Sequence, residues 1–241
     1  GTVTGLTVAA VADLRVDDTF TATALETLTV TGSGAVRIGP ALAATVETVD
    51  ASAATGAITL TMGAADQTIT TGTADDVIDM QGNLDDDDTI DLGDGSDTLR
   101  IDVQGLAAGA FDLSISNVET FRFDAIEDTN GAINMDNLSV TAITIDGENG
   151  GGTDTNDGVI TLTDLTTAVT TFDFVGEGAD GDPSDDVAFN GIIADYDVSG
   201  TDTVASITVN INNGGVTADD MFLDRIEGNN IEALNIVAAD I

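Results

Sequence analysis

The chain contains no cysteine, histidine or tryptophan, and all five of its basic residues are arginines. Without cysteine there is no disulfide. Without cysteine and histidine together, zinc, copper, haem and iron–sulfur centres lose their usual ligands. Ser–His–Asp and Cys–His catalysis are excluded for the same reason. Five arginines against 44 acidic residues cannot form the basic face that phosphate binding requires, so nucleic acid is not an expected partner. No apolar run reaches the ~18 residues of a membrane-spanning helix, and membrane insertion is not expected either. The chain does not begin with Met and shows no basic-then-apolar leader, which reads as a piece of a longer polypeptide.

What remains is unusual in combination. The 241 residues are 42% hydrophobic with a mean hydropathy of +0.17, yet the formal charge is −39. Disordered acidic tails are poor in apolar residues, so this composition predicts a folded core. Carboxylates at such density repel one another and oppose compaction. High external salt can neutralise them diffusely, and bound divalent cations can do so locally.

Alternation dominates the pattern. Ile58-Thr59-Leu60-Thr61-Met62, Leu99-Arg100-Ile101-Asp102-Val103 and Ile207-Thr208-Val209-Asn210-Ile211 each place apolar residues on one side and polar residues on the other. Short period-two runs rich in Val, Ile and Thr predict half-buried strands. Clusters of Gly, Asp, Asn and Thr between them predict turns. Small helical turns are expected only around 9–18, 40–45 and 217–226.

A weak repeat is present in Leu25-Glu26-Thr27-Leu28, Val46-Glu47-Thr48-Val49, Val118-Glu119-Thr120-Phe121 and Ile231-Glu232-Ala233-Leu234. Such strands recur at the spacing of solenoid coils. Within Leu113-x-Ile115-x-x-Val118-x-x-Phe121-x-Phe123, one strand pair, a corner and a second pair follow each other. Ile160-x-Leu162-x-x-Leu165-x-x-x-Val169-x-x-Phe172-x-Phe174 has the same arrangement. The fold class expected is all-β, a right-handed parallel β-helix or β-roll solenoid with irregular coils. An antiparallel β-sandwich shares the alternation and is the alternative. We expect one continuous elongated domain with N-terminal coils over 1–65, a glycine- and aspartate-rich β-roll segment over 66–103 and irregular coils over 104–241.

The most specific stretch runs from Gly72 to Arg100. It contains three Asp-x-apolar endings, Asp76-Val77-Ile78, Asp88-Thr89-Ile90 and Asp97-Thr98-Leu99, and Ile90 and Leu99 are nine residues apart. The apolar residue of each ending would point into a core, and the residues before it would form a turn. Glycines allow tight or left-handed angles there, so that carbonyl oxygens converge. An Asp two positions before the apolar residue adds a carboxylate, and stacked turns would enclose about six hard oxygens, as calcium accepts. Asp76, Asp88 and Asp97 are the first candidate ligands, with Asp75, Asp79, Asp85, Asp87, Asp91 and Asp94 next and Gly72, Gly93 and Gly95 shaping the turns. Asp154, Asp157, Asp182 and Asp185 lie in further acidic loops that could form irregular sites. The bland reading makes all of these solvated turn residues. Glu26, Glu47, Glu119 and Glu232 are either solvated at corners or brace neighbouring coils.

Gly93-x-Gly95-x-Asp97-x-Leu99 resembles the nonapeptide repeat of RTX proteins, G-G-x-G-x-D-x-U-x. The segments from Gly72 and Gly82 are degenerate copies. Together with Asn117-Val118-Glu119-Thr120-Phe121 and the lysine-free Thr/Ala/Asp/Gly-rich composition, the chain resembles the calcium-binding surface-layer proteins that alphaproteobacteria export by type I secretion. That resemblance implies a secreted, extracellular, Ca2+-dependent structural protein that assembles with copies of itself into a lattice or filament, and not an enzyme. Two rivals are a repeat module of a giant secreted adhesin and a calcium-dependent β-helical polysaccharide lyase with Arg100 or Arg122 as base. The lyase is disfavoured by eight Phe, one Tyr and no Trp for sugar stacking. Halophilic adaptation would explain the charge but not the aspartates in phase.

Overall fold

A computed structural model describes residues 2–102, 114–124, 131–135, 138, 140–147, 159–165, 169–176, 188–189, 191–196, 206–212, 222–223, 226–228 and 231–239. Every pairing between strands reported among them is parallel, and the strands stack as a right-handed β-solenoid of about 5 turns. The antiparallel sandwich is therefore excluded. No helix occurs among the described residues. Residues 9–18 belong to strands and the bend between them, and 40–45 form an irregular turn, so the helical turns expected there are absent. The third, over 217–226, falls mostly outside the described residues, which place Phe222–Leu223 and Ile226 in strands. The reason is compositional: Thr, Asp and Val are poor helix formers, and ladder hydrogen bonds to adjacent coils take the backbone groups instead.

The chain divides into two compact units, Gly1–Ile101 with Leu113–Phe121, and Asp102–Asp112 with Arg122–Ile241. In the first unit, each coil contributes one strand to each of two sheets. Sheet A is ordered β1 (Gly5–Ala10), β3 (Thr27–Gly32), β5 (Thr48–Ala54), β7 (Thr68–Thr70), β9 (Thr89–Asp91) and β11 (Ser114–Ser116). Sheet B is ordered β2 (Leu14–Val16), β4 (Val36–Ile38), β6 (Ile58–Thr61), β8 (Val77–Asp79) and β10 (Thr98–Asp102). β12 (Thr120–Asp124) contributes residues to both units.

Register carries the apolar residues into continuous columns. In sheet A, Leu28, Val49, Ile69, Ile90 and Ile115 are successive partners and all are buried. In sheet B, Ile38, Leu60, Ile78 and Leu99 do the same. Each such side chain contributes roughly 1.5–3 kcal/mol by leaving water. The outward column of sheet A is hydroxyl-rich, with Thr27, Thr48, Thr68, Thr89 and Ser114 in register. β-branched threonine suits a pleated, half-exposed surface.

The second unit repeats the scheme with larger side chains. One sheet runs β14 (Ala142–Gly147), β16 (Thr171–Gly176), β19 (Ile207–Asn212) and β22 (Leu234–Ala239). Another runs β13 (Gly131–Asn134), β15 (Val159–Leu165), β18 (Gly191–Tyr196) and β21 (Ile226–Gly228), and β17 (Ala188–Phe189) pairs with β20 (Phe222–Leu223). Ile143, Phe172 and Val209 form one buried column. The Tyr196 hydroxyl is buried and donates to the Val169 carbonyl at 2.9 Å. Burial pushes its pKa upward, so it stays a neutral donor.

Candidate metal centre

Two corners of the first unit hold the acidic chemistry. The first joins sheet A to sheet B, where the Gly72 and Gly93 turns lie one above the other. A Cβ on Gly72 would collide with the Ala54 carbonyl, and one on Gly93 with the Gly72 carbonyl. Gly93 also has φ +78°, a conformation that L side chains rarely adopt. Glycine is required here because successive backbones nearly touch.

That close stacking makes a ladder of carboxylates. The Ile58 N–H donates to Asp76 Oδ1 at 2.7 Å, and the Asp76 N–H donates to Asp97 Oδ1 at 2.7 Å. The Asp97 N–H in turn donates to Glu119 Oε2 at 2.8 Å. Each acid satisfies the amide that the preceding coil leaves unpaired where its turn meets the strand. Asp76 and Asp97 are buried to 1% and 0% exposure. Their second oxygens, Asp76 Oδ2 and Asp97 Oδ2, are buried and make no hydrogen bond of good geometry, although the Thr71 hydroxyl and the Gly72 N–H lie near the Asp76 carboxylate.

A buried carboxylate with one unmatched oxygen resists ionisation. Burial raises the Asp97 pKa to about 6; the Asp76 amide opposes the shift, while the charges of Asp76, Glu119 and Asp75 reinforce it. Burial likewise raises Asp76, with the charge of Asp75, against the Ile58 amide, the Thr71 hydroxyl and the Gly72 amide. Asp75 lies at the rim of this corner and accepts the Ser96 N–H at 2.9 Å.

The second corner joins sheet B to sheet A. Asp88 is 2% exposed and fully engaged: Oδ1 accepts the Gln67 N–H at 2.8 Å and Oδ2 the Asp85 N–H at 3.0 Å. Burial raises its pKa as well. Outside it, carboxylate oxygens of Asp66, Asp85 and Asp87 converge to within 4.8 Å of one another. Two oxygens on opposite sides of one calcium ion are roughly 5 Å apart, so the spacing is compatible with shared coordination. Among the described residues no arginine pairs with this triad.

The expected ligands therefore separate by role. Asp76 and Asp97 combine amide capping with an orphaned oxygen, Asp88 caps with both oxygens, and half-buried Asp85 joins exposed Asp66 and Asp87 in the outer cluster. Asp79 caps the Gln81 N–H at 2.9 Å and approaches Arg100 at 3.7 Å. Asp91 accepts Asn117 Nδ2 at 2.7 Å and the Gly93 N–H at 3.2 Å. Asp94 is exposed, next to Gly95. Asp154, Asp157, Asp182 and Asp185 lie outside the described residues. Of the four repeat glutamates, Glu119 braces the neighbouring coil, whereas Glu26 and Glu47 are exposed.

Asp66 and Gln67 carried no local signal in the sequence. Their signal is spacing: the Asp76–Asp97 and Gln67–Asp88 contacts both join residues 21 apart. Asp66 precedes Asp87 by that same coil length. Compared with known proteins, the chain gives no match to any family model, curated protein or solved structure.

Proposed function

We propose that the protein is a secreted structural component of a cell-surface layer, folded with calcium and assembled with copies of itself. The observation that carries the calcium part is the pair of orphaned, buried oxygens Asp76 Oδ2 and Asp97 Oδ2 on adjacent coils. Leaving an ionised carboxylate buried and unmatched costs several kcal/mol. A hard divalent cation supplies the missing charge and accepts oxygen ligands in loose geometry. The donor set fits this role, being all oxygen and without the sulfur or imidazole that softer metals favour. Asp76 and Asp97 would hold one ion, and Asp66, Asp85 and Asp87 another.

The residues explain how binding couples to folding. Asp66 and Asp87, like Asp76 and Asp97, meet only when successive coils stack, so the unfolded chain presents no comparable site. A ligand that binds only the folded state stabilises it by about 2.7 kcal/mol at a hundred times its Kd. External calcium would then complete folding outside the cell. The regular threonine column of sheet A and the absence of any long apolar helix among the described residues are compatible with a structural role.

Sedimentation velocity in calcium and in chelator tests the reading. It expects compact, concentration-dependent assemblies in calcium and an expanded monomer after chelation. A monomer in calcium at every concentration would overturn the assembly part.

A further inference from the structure

The few positive charges are not scattered. In the first unit, Arg15, Arg37 and Arg100 all lie on strands of sheet B, and no strand of sheet A carries an arginine; Arg37 and Arg100 alternate with buried neighbours, while Arg15 lies between exposed Leu14 and half-buried Val16. Arg15 and Arg37 are direct register partners. Like charges placed side by side in a ladder are destabilising, and with 44 acids in the chain a carboxylate at either position would relieve the repulsion. Folding alone gives no reason for this arrangement.

The three arginines differ in how they are satisfied. Arg15 Nε lies 2.6 Å from Asp17 Oδ1, while Arg100 Nη1 lies 3.7 Å from Asp79 Oδ2. Arg37 is exposed between buried Val36 and Ile38 and makes no hydrogen bond or ion pair among the described residues. It lies between Arg15 and Thr59 in the ladder. Sheet B also holds Asp79 and Asp102, beside Arg100, whereas sheet A carries acids and no arginine. The outward sheet A column Thr29, Asp50, Thr70, Asp91 contains only hydroxyls and carboxylates, and exposed Glu26 and Glu47 flank it. Asp50 is exposed and uses only Oδ1, toward Ser52.

We propose that the Arg15–Arg37 face of sheet B docks on the Asp50 face of sheet A in a second copy of this chain. The inference rests on the self-assembly proposed above and names the faces involved. Charge complementarity selects the occupant: the surface that lacks arginine in one copy meets the surface that concentrates it in the next. Because the two faces differ, the contact is heterologous and leaves each copy a free face for the next, so it propagates beyond a dimer into a ring or an open array. The arginines set register and orientation rather than supplying bulk affinity. Copies of charge −39 still need screening by cations to approach.

The test uses the full chain in saturating calcium, with sedimentation velocity over a concentration series. Arg37→Glu is expected to weaken association at least about tenfold, since it replaces attraction by repulsion. Its thermal melt in calcium should match the parent, because the side chain is exposed. Arg37→Gln, which only removes charge, should give a smaller loss and serves if the reversal disturbs folding. Asp50→Arg alone should also weaken association, and an equimolar mixture of Arg37→Glu with Asp50→Arg should restore it. A parent that assembles while both Arg37 variants assemble equally well overturns the assignment of faces and leaves self-assembly standing. A parent that never associates overturns both.

Discussion

Asparagine and alanine at position 97 separate the two duties of one carboxylate. Asp97 Oδ1 accepts the buried Asp76 N–H at 2.7 Å, while Oδ2 is orphaned. Asparagine keeps a carbonyl oxygen for the amide and removes the charge. With the folded pKa raised to about 6, ionised Asp97 costs the metal-free fold about 2–3 kcal/mol at pH 7. Asp97→Asn should therefore melt higher than the parent in chelator at pH 7. Alanine also relieves the charge but leaves the Asp76 amide unmatched, a loss of about 1–3 kcal/mol. It should fall below asparagine by that amount. In calcium the order changes, because both variants lose an anionic ligand and the parent gains most from the ion. Paired urea melts in chelator and in calcium read all six values. The reasoning fails if Asp97→Asn is as destabilised as Asp97→Ala in chelator, or if the calcium increment is the same in all three proteins.

Other consequences follow from the same geometry. Gly93→Ala should cost more than ~2 kcal/mol in thermal unfolding with or without calcium, since its Cβ meets the Gly72 carbonyl and its φ is positive. The metal-free protein should gain stability as pH falls from 7 toward 5. The raised pKa of Asp97 means its stabilising contribution is complete below the unfolded value near 3.9 and lost as pH rises through about 6. Asp97→Asn should flatten that gain in a pH series of chelated melts. Asp87→Asn, at an exposed position, should leave the chelated melt within ~0.5 kcal/mol of the parent and lower calcium affinity by titration calorimetry. Leu60→Ala, in a fully buried column, should cost about 2–5 kcal/mol by urea denaturation.

Much of the architecture was legible because a solenoid writes its coil into local pattern. The alternation at Ile58–Met62 gave β6, and the strand–corner–strand grammar at Leu113–Phe123 gave β11 and β12 on different sheets. The nine-residue step from Ile90 to Leu99 is half a coil, from sheet A to sheet B, and Ile69 to Ile78 repeats it. The glutamate repeat was legible as a motif but not as a location. Glu26 and Glu47 lead into sheet A, whereas Glu119 leads into β12, which lies beside β10 of sheet B. The motif marks a corner, and either corner accepts it.

The acid ladder was only half legible. Asp76, Asp88 and Asp97 stood out by their spacing from an apolar residue. Their burial and amide partners depend on which residue of the adjacent coil lies beside them. Glu119 is the next rung after Asp97 although it ends a different motif, because one more methylene still reaches the Asp97 amide. Asp66 joins Asp85 and Asp87 purely through register. Coil lengths vary, with contacts spanning 18 residues at Asp76–Ile58, 21 at Asp97–Asp76 and 22 at Glu119–Asp97. A fixed repeat length would therefore have misplaced several partners.

The most direct measurement is a far-UV dichroism melt of the chain at modest ionic strength, once with excess chelator and once with millimolar calcium. The account predicts a cooperative transition that calcium moves upward by many degrees and magnesium hardly moves. A chelated sample that keeps the same cooperative transition, at the same temperature, would contradict it.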